Sequence, residues 1–270
     1  MREQGFNHSE SITLSVAIIT YNEENIIART IAAAQDVADE IVVVDSFSTD
    51  RTADIAKSLG AKVIQRSWRG FSSQKNFAIN ECNSDWILSL DADEVISPAL
   101  ANEIRYIIQN PAESRSFRVS RKWYIGNVFL KYGGHFPDYQ LRLFKKTSGA
   151  KFKNRAVHES ITVDGSIADL KYPLDHYAYR SVEDYDAALQ RYAKLASREI
   201  KKGIYYLPTL RAAWKLFYRS LIQLGILDGV LGLKMVLSFA RYTYWKYEYA
   251  RLEEQKISSP ASVKALPLKR

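Results

Sequence analysis

The sequence predicts an α/β fold: a mostly parallel, Rossmann-like sheet with flanking helices, followed by a helical appendage. Three observations predict it. From Leu14 to about Pro111, short β-branched runs alternate with helix-period stretches. From Ser116 to about Tyr179 the helical period disappears and turn-rich segments separate strands. From Val182 onward the pattern is helical and basic.

In order, Leu14 to Thr20 reads as a strand, Glu23 to Gln35 as a helix and Glu40 to Val44 as a second strand. Thr49 is the expected cap of a helix that ends at Gly60, a C′ position. Ala61 to Gln65 and Trp86 to Leu90 read as two further buried strands, and Pro98 to Gln109 as a helix. Strands at Phe117 to Tyr124 and Tyr139 to Phe144, separated by KYGGHFPD, suggest an antiparallel extension over the sheet's edge. In the appendage Arg211, Lys215 and Arg219 fall four apart on one helical face, and Gly225, Gly229 and Gly232 mark a turn between two helices.

The 270 residues, 47% hydrophobic and 25% charged, allow one large domain or one domain with an appendage. A single cysteine, Cys82, excludes an internal disulfide, and the polar start MREQGFNHSE has no apolar signal segment, so a cytoplasmic location is expected. The formal charge is +8, and between Lys201 and Arg251 nine Lys or Arg stand against Asp228 and Glu248. Such a field favours an anionic partner: nucleic acid, an acidic membrane face or a phosphorylated substrate.

The strongest chemical signal is Leu88-Ser89-Leu90-Asp91-Ala92-Asp93-Glu94, an apolar strand ending in two carboxylates spaced by one residue. In an open α/β sheet ligands bind beyond the carboxyl ends of the strands, where carboxylates hold a hard cation such as Mg2+ or Mn2+. Thr20-Tyr21-Asn22-Glu23-Glu24 and Asp45-Ser46-Phe47-Ser48-Thr49-Asp50 end two neighbouring strands, and Gln74-Lys75-Asn76 forms a further cluster. Parallel strands bring these to one rim. There Asp45 can accept hydrogen bonds from a base or ribose, and Lys75 can neutralise phosphate charge. Each of these residues taken singly is also a common helix cap or loop residue; their joint occurrence is the signal.

ITYNEE, VVVDSFSTDRT, QKNFAI and WILSLDADE, in that order over residues 12 to 110, resemble the nucleotide-sugar half of family 2 glycosyltransferases with the GT-A fold. The resemblance implies that Thr20, Tyr21, Glu23 and Asp45 surround the nucleoside and that Asp91 and Asp93 meet the metal and the diphosphate. GGHFPDYQLRLFKK, AVHESITVDG and DHYAYRS are similar to a narrower branch, the bacterial lipopolysaccharide inner-core glucosyltransferases. His135-Phe136 stands where that branch often has an aromatic pair, which leaves the acceptor open.

The resemblance implies an inverting transfer of a hexose, glucose foremost, from a UDP sugar to a lipid-linked or core oligosaccharide acceptor; such an acceptor, with the basic tail, leads to an expected peripheral position on the inner face of the plasma membrane. Such a transfer needs a base for the acceptor hydroxyl. Glu159, in Val157-His158-Glu159, is preferred over Asp138, and a structural pairing of Glu159 with Arg142 or Arg155 is the alternative. His176 and His158 are candidate third metal ligands, because imidazole suits Mn2+.

The expected organisation is a catalytic domain over 12–180, divided at 110 into donor and acceptor halves, then a basic helical region over 181–255 and a tail over 256–270. The helical region is read as facing an acidic membrane surface, with Trp214, Phe217, Tyr244 and Trp245 at the boundary. Packing of its apolar faces on the catalytic domain or a second subunit is the alternative. A nucleotidyltransferase making a nucleotide sugar is the competing enzyme class, disfavoured because ITYNEE is not a Gly-rich basic phosphate loop. A non-enzymatic, nucleic-acid-binding protein is disfavoured because it leaves the acidic strand ends unexplained.

Overall fold

The computed structural model describes residues 12–110, 114–153, 160–200 and 207–258. Two compact units divide the chain: 12–121, 139–153 and 160–176 in the first, and 122–138 and 177–258 in the second.

The first unit opens with β1 (Leu14–Thr20), α1 (Ile27–Gln35), β2 (Glu40–Asp45), α2 (Thr52–Ser58), β3 (Lys62–Gln65), α3 (Phe71–Asn80) and β4 (Trp86–Asp91). β1 lies between β2 and β4 and is parallel to both. All seven of its residues are buried, as a central parallel strand covered on both faces requires. The strand period of two then sorts side chains to opposite faces. Leu14, Val16 and Ile18 join one core cluster with Ile27, Ile31, Leu100 and Ile104, while Ala17 and Ile19 join another with Ala78, Ile79 and Phe144. Each fully buried Leu or Ile contributes about 1.5–3 kcal/mol of hydrophobic stabilisation.

Register is what positions the site. Thr20 pairs with Asp45 across β1 and β2, and Ile19 pairs with Asp91 across β1 and β4. The carboxyl ends of three strands therefore stop at one level.

The two-residue strand β5 (Glu94–Val95) and the helix α4 (Pro98–Gln109) follow. Ser97 caps α4, its hydroxyl accepting from the Leu100 amide at 3.2 Å, with Pro98 in the first turn where a missing N–H costs nothing. Then come β6 (Ser116–Ile125), β7 (Val128–Leu130), β8 (Asp138–Lys145), β9 (Lys151–Lys153), β10 (Ser160–Thr162), β11 (Ile167–Asp169) and β12 (Leu174–Tyr179). The sheet order is β3-β2-β1-β4-β8-β6-β12-β5, and β8 runs antiparallel to β4, so the antiparallel extension expected beyond the parallel core is present.

In the second unit, β7 pairs with the far end of β6, and α5 (Val182–Ser197), α6 (Pro208–Phe217) and α7 (Gly229–Ser258) follow. Ile125, Leu130, Tyr185, Leu189 and Met235 form its core.

Three local expectations are corrected. The helix expected from Glu23 begins only at Ile27, because Asn22 takes a φ of 55° and the amides of Glu23 and Glu24 are held by Thr52 Oγ1 and Asp50 Oδ2. Thr49 does not cap α2; its amide donates to Asn22 Oδ1 at 2.8 Å, and α2 starts at Thr52. Gly232 lies inside α7 rather than in a turn. A Cβ there would stand 2.1 Å from the Gly225 carbonyl oxygen, so glycine is needed for close approach.

Candidate active site

The loop after β4 bends back into the two-residue strand β5, which pairs antiparallel with β12 and sets His176 opposite Glu94. That pairing brings a distant imidazole to the acidic strand end: His176 Nε2 lies 3.4 Å from Asp93 Oδ2. Both side chains are only partly exposed.

Asp91 is differently placed. Lys75 Nζ donates to its Oδ1 at 2.7 Å, and Arg142 Nη2 to its Oδ2 at 2.7 Å. Arg142 also reaches Glu94 Oε1 at 2.5 Å, Arg121 Nη1 donates to the same oxygen at 3.0 Å, and the Asp91 amide donates to Glu94 Oε2 at 3.0 Å. Glu94 is fully buried and Arg142 and Lys75 nearly so. Three cations thus surround two carboxylates, and every charge of the group has an opposite charge in contact, as burial of most of them requires. Burial alone would raise the Asp91 carboxyl, but Lys75 and Arg142 beside it hold it well below the usual carboxylate range.

At the neighbouring strand ends, Asp45 is buried, and its two oxygens accept from the Ser48 amide at 3.0 Å and hydroxyl at 2.5 Å. Thr20 is buried beside it, its hydroxyl without a hydrogen-bond partner among the described residues. Tyr21 is exposed. Asn22 sits in the left-handed region that Asn tolerates, its amide donating to Ser48 Oγ at 2.9 Å. Phe47 also has a positive φ, 61°, and an exposed ring, an uncommon conformation for a bulky residue and a mark of local strain next to Asp45. A cavity of about 530 Å³ lined by Arg66, Ser72, Asn76, Phe77, Lys151 and Phe152 includes none of Asp91, Asp93 and His176. It offers no carboxylate or imidazole, so we assign it no chemistry.

The model of glycosyl transferase family 2 matches residues 15–159, which span every one of these strand ends except that of His176. The chain belongs to glycosyl transferase family 2. An uncharacterized glycosyltransferase of Rickettsia bellii (strain RML369-C) is 33% identical over 97% of this chain and 94% of its own length. The lipopolysaccharide core biosynthesis glycosyltransferase LpsC of Rhizobium meliloti (strain 1021) is 29% identical over 71% of this chain and 73% of its own. Among solved structures, the mannosyltransferase PcManGT from Pyrobaculum calidifontis, in complex with GDP-Man and Mn2+, shares the fold with a TM-score of 0.51 at 15% identity, over 93% of this chain and 89% of its own. The fold of this glycosyltransferase is GT-A, and membership sets aside the nucleotidyltransferase and polymer-binding alternatives.

Of the residues singled out in the glycosyltransferase's sequence, the first unit brings together Thr20, Tyr21, Asn22, Glu23 and Asp45 at one strand end, and Lys75, Asp91, Asp93 and His176 at the other. Asp138 lies in the second unit and accepts from the Trp123 indole at 3.1 Å. Glu159 and His158 fall outside the described residues. Glu94, Arg121 and Ser48 are site residues that the sequence alone does not single out; Arg142 meets Asp91 and Glu94, while its expected partner Glu159 lies outside the described residues. Glu94 was legible as a third acid directly after an apolar strand, since a buried charge demands a partner; nothing local pointed to which Arg would supply it.

Proposed function

We propose that this glycosyltransferase moves a hexose, glucose foremost, from a UDP sugar to a hydroxyl of a lipid-linked or lipopolysaccharide-core saccharide, with inversion at the anomeric carbon. The observation that carries the donor half is the Asp93–His176 pair at the end of β4. Two ligands on adjacent positions of an octahedral ion with bonds of about 2.1 Å stand about 3 Å apart, close to the separation of Asp93 Oδ2 and His176 Nε2. A carboxylate oxygen with an imidazole nitrogen is also a donor set suited to Mn2+. These residues therefore fit a divalent cation, and PcManGT, of like fold, is in complex with Mn2+ and a nucleotide sugar. Bound there, the cation would act as a Lewis acid on the diphosphate leaving group.

The chain's own residues do the rest. Thr20 and Asp45 offer a buried hydroxyl and carboxylate for the nucleoside beside Tyr21, Asn22 and Glu23. Asp91 anchors Lys75 and Arg142, keeping two cations at the place where diphosphate charge would lie. The acceptor O–H gives its proton to a carboxylate, its oxygen bonds to the anomeric carbon, and the bond from that carbon to the phosphate oxygen breaks with its electron pair leaving on UDP. Glu159 is our preferred base and Asp138 the alternative. Likeness to LpsC supports the core-saccharide acceptor, and a lipid-linked acceptor would put the reaction at the inner face of a membrane.

The test is thermal stability with UDP and Mn2+, separately and together. Saturation at 100 times the dissociation constant adds about 2.7 kcal/mol, or about 5 °C for a chain of this size. We expect the shift only with both present, and expect Asp93→Asn and His176→Ala to lose it while keeping their unliganded melting point. A UDP shift that needs no metal and survives both substitutions would reject the donor-site assignment.

A further inference from the structure

In α6 the apolar face is left uncovered. None of its ten residues is buried, and Leu210, Trp214 and Phe217, on one face, are exposed. A basic row runs beside it: Arg211 stacks over Tyr247 at 4.6 Å and Arg219, just past the end of α6, over Phe239 at 3.5 Å, both rings belonging to α7. A helix folded against water alone buries its apolar row against a neighbour; this one leaves it exposed.

The apolar row continues past the end of α6. It runs through the π-helical turn Tyr218–Ile222 and the 3-10 turn Gly225–Asp228 into the start of α7. Leu221, Ile222, Leu224, Ile226, Leu227 and Val230 are exposed there, Val230 by 75%. From Ser220 to Leu233 the only charge is Asp228, and it is turned away from solvent partners: its two oxygens accept from the Lys131 amide at 3.2 Å and the Tyr132 amide at 2.8 Å. The tip is thus electrically quiet and apolar over a contiguous patch of the kind that monomeric proteins rarely leave in water.

We propose that the tip around 221–233 inserts into one leaflet of an anionic bilayer, with α6 lying at the interface. Charge complementarity selects a bilayer over a second copy of the chain, because like copies would bring equally basic surfaces together. Between Lys201 and Arg251 nine basic residues stand against two acidic ones. A groove of about 360 Å³ lined by Leu207, Leu210, Arg211, Trp214, Lys215 and Tyr247 sets two cations beside an apolar wall. That pairing matches an anionic lipid headgroup above its acyl chain, and Trp214 takes the interfacial position such rings favour. No single helix among the described residues is long and apolar enough to cross a membrane; Pro208–Ile222 and Gly225–Glu254, bent by 71° at their break, pass that test only as a pair. The bend suits an element that enters and leaves by the same face. The inference rests on the lipid-linked acceptor reading for its purpose, not for its geometry.

The full chain is centrifuged with vesicles of phosphatidylcholine, alone and mixed with phosphatidylglycerol, at low and raised salt. Insertion predicts stronger partition onto the mixed vesicles, with a substantial share that persists at raised salt, because apolar burial is not screened. Leu227→Asp combined with Val230→Asp should weaken partition about tenfold or more, since a carboxylate is costly below the headgroups. The same variant should keep the wild-type shift with UDP and Mn2+, so loss of membrane binding and failure of the donor-site reading are separately visible. Failure of the wild type to bind either vesicle overturns the proposal, as does binding that raised salt removes completely. Sedimentation velocity showing self-association that the double variant abolishes, without vesicle binding, assigns the face to a second copy instead.

Discussion

Replacing Arg142 by Met probes the buried network that holds Asp91. Arg142 is 4% exposed and touches both Asp91 and Glu94, at 2.7 and 2.5 Å. Met keeps most of the apolar stem and removes the charge. Breaking a buried ion pair by removing one partner costs about 3–5 kcal/mol. Here each carboxylate retains one cation, Lys75 on Asp91 and Arg121 on Glu94, so the lower end, about 3 kcal/mol, is expected. At about 2 °C per kcal/mol for a chain of this size, the melting point should fall by about 6 °C at neutral pH, read by calorimetry. The Asp91 carboxyl is held below its ordinary 3.8, so its stabilisation is present above that pH and is lost as the pH falls further. Without Arg142 the carboxyl is less depressed, and acid unfolding should begin at a higher pH. Adding Glu94→Gln to Arg142→Met should recover part of the loss, because the buried charge then has less need of a partner. A melting point within about 1 °C of wild type, with no coupling between the two substitutions, would mean that Arg142 is not holding these carboxylates and that the network is misread.

Two further outcomes are expected. Burial, with Arg219 adding to it and Asp138 opposing it, lowers the His135 imidazole from 6.5 to about 4. The unfolded chain therefore binds the extra proton first, so stability should be full above pH 6.5 and fall by about 3 kcal/mol on the way to pH 4; His135→Gln should flatten that slope in denaturant titrations. Glu159→Gln should retain the UDP and Mn2+ shift and lose transfer by about 10²-fold or more, and retained transfer together with loss in Asp138→Asn would move the base to Asp138.

The parallel half of the fold and the strand ends that build the donor site were legible in the sequence. Period-two apolar runs of β-branched residues, each stopping at a polar cluster, say both that strands are there and where they end, and parallel packing brings those ends to one rim. Helix starts were less legible. The amides of Glu23 and Glu24 are claimed by Thr52 and Asp50 from another loop, a competition that no local pattern announces.

What tertiary structure alone decided is who partners whom. In sequence Asp91 and Asp93 are equivalent acids of one motif; in the fold one faces Lys75 and Arg142 and the other faces His176. The reason is register: β5 is two residues long, and its antiparallel pairing with β12 delivers His176 to one side of the turn while β8, antiparallel to β4, delivers Arg142 to the other. The appendage shows the same division. Its basic and apolar rows are plain in the sequence at helical spacing, but which row faces α7 depends on where Tyr247 and Phe239 stand, and that is settled only when the helices pack.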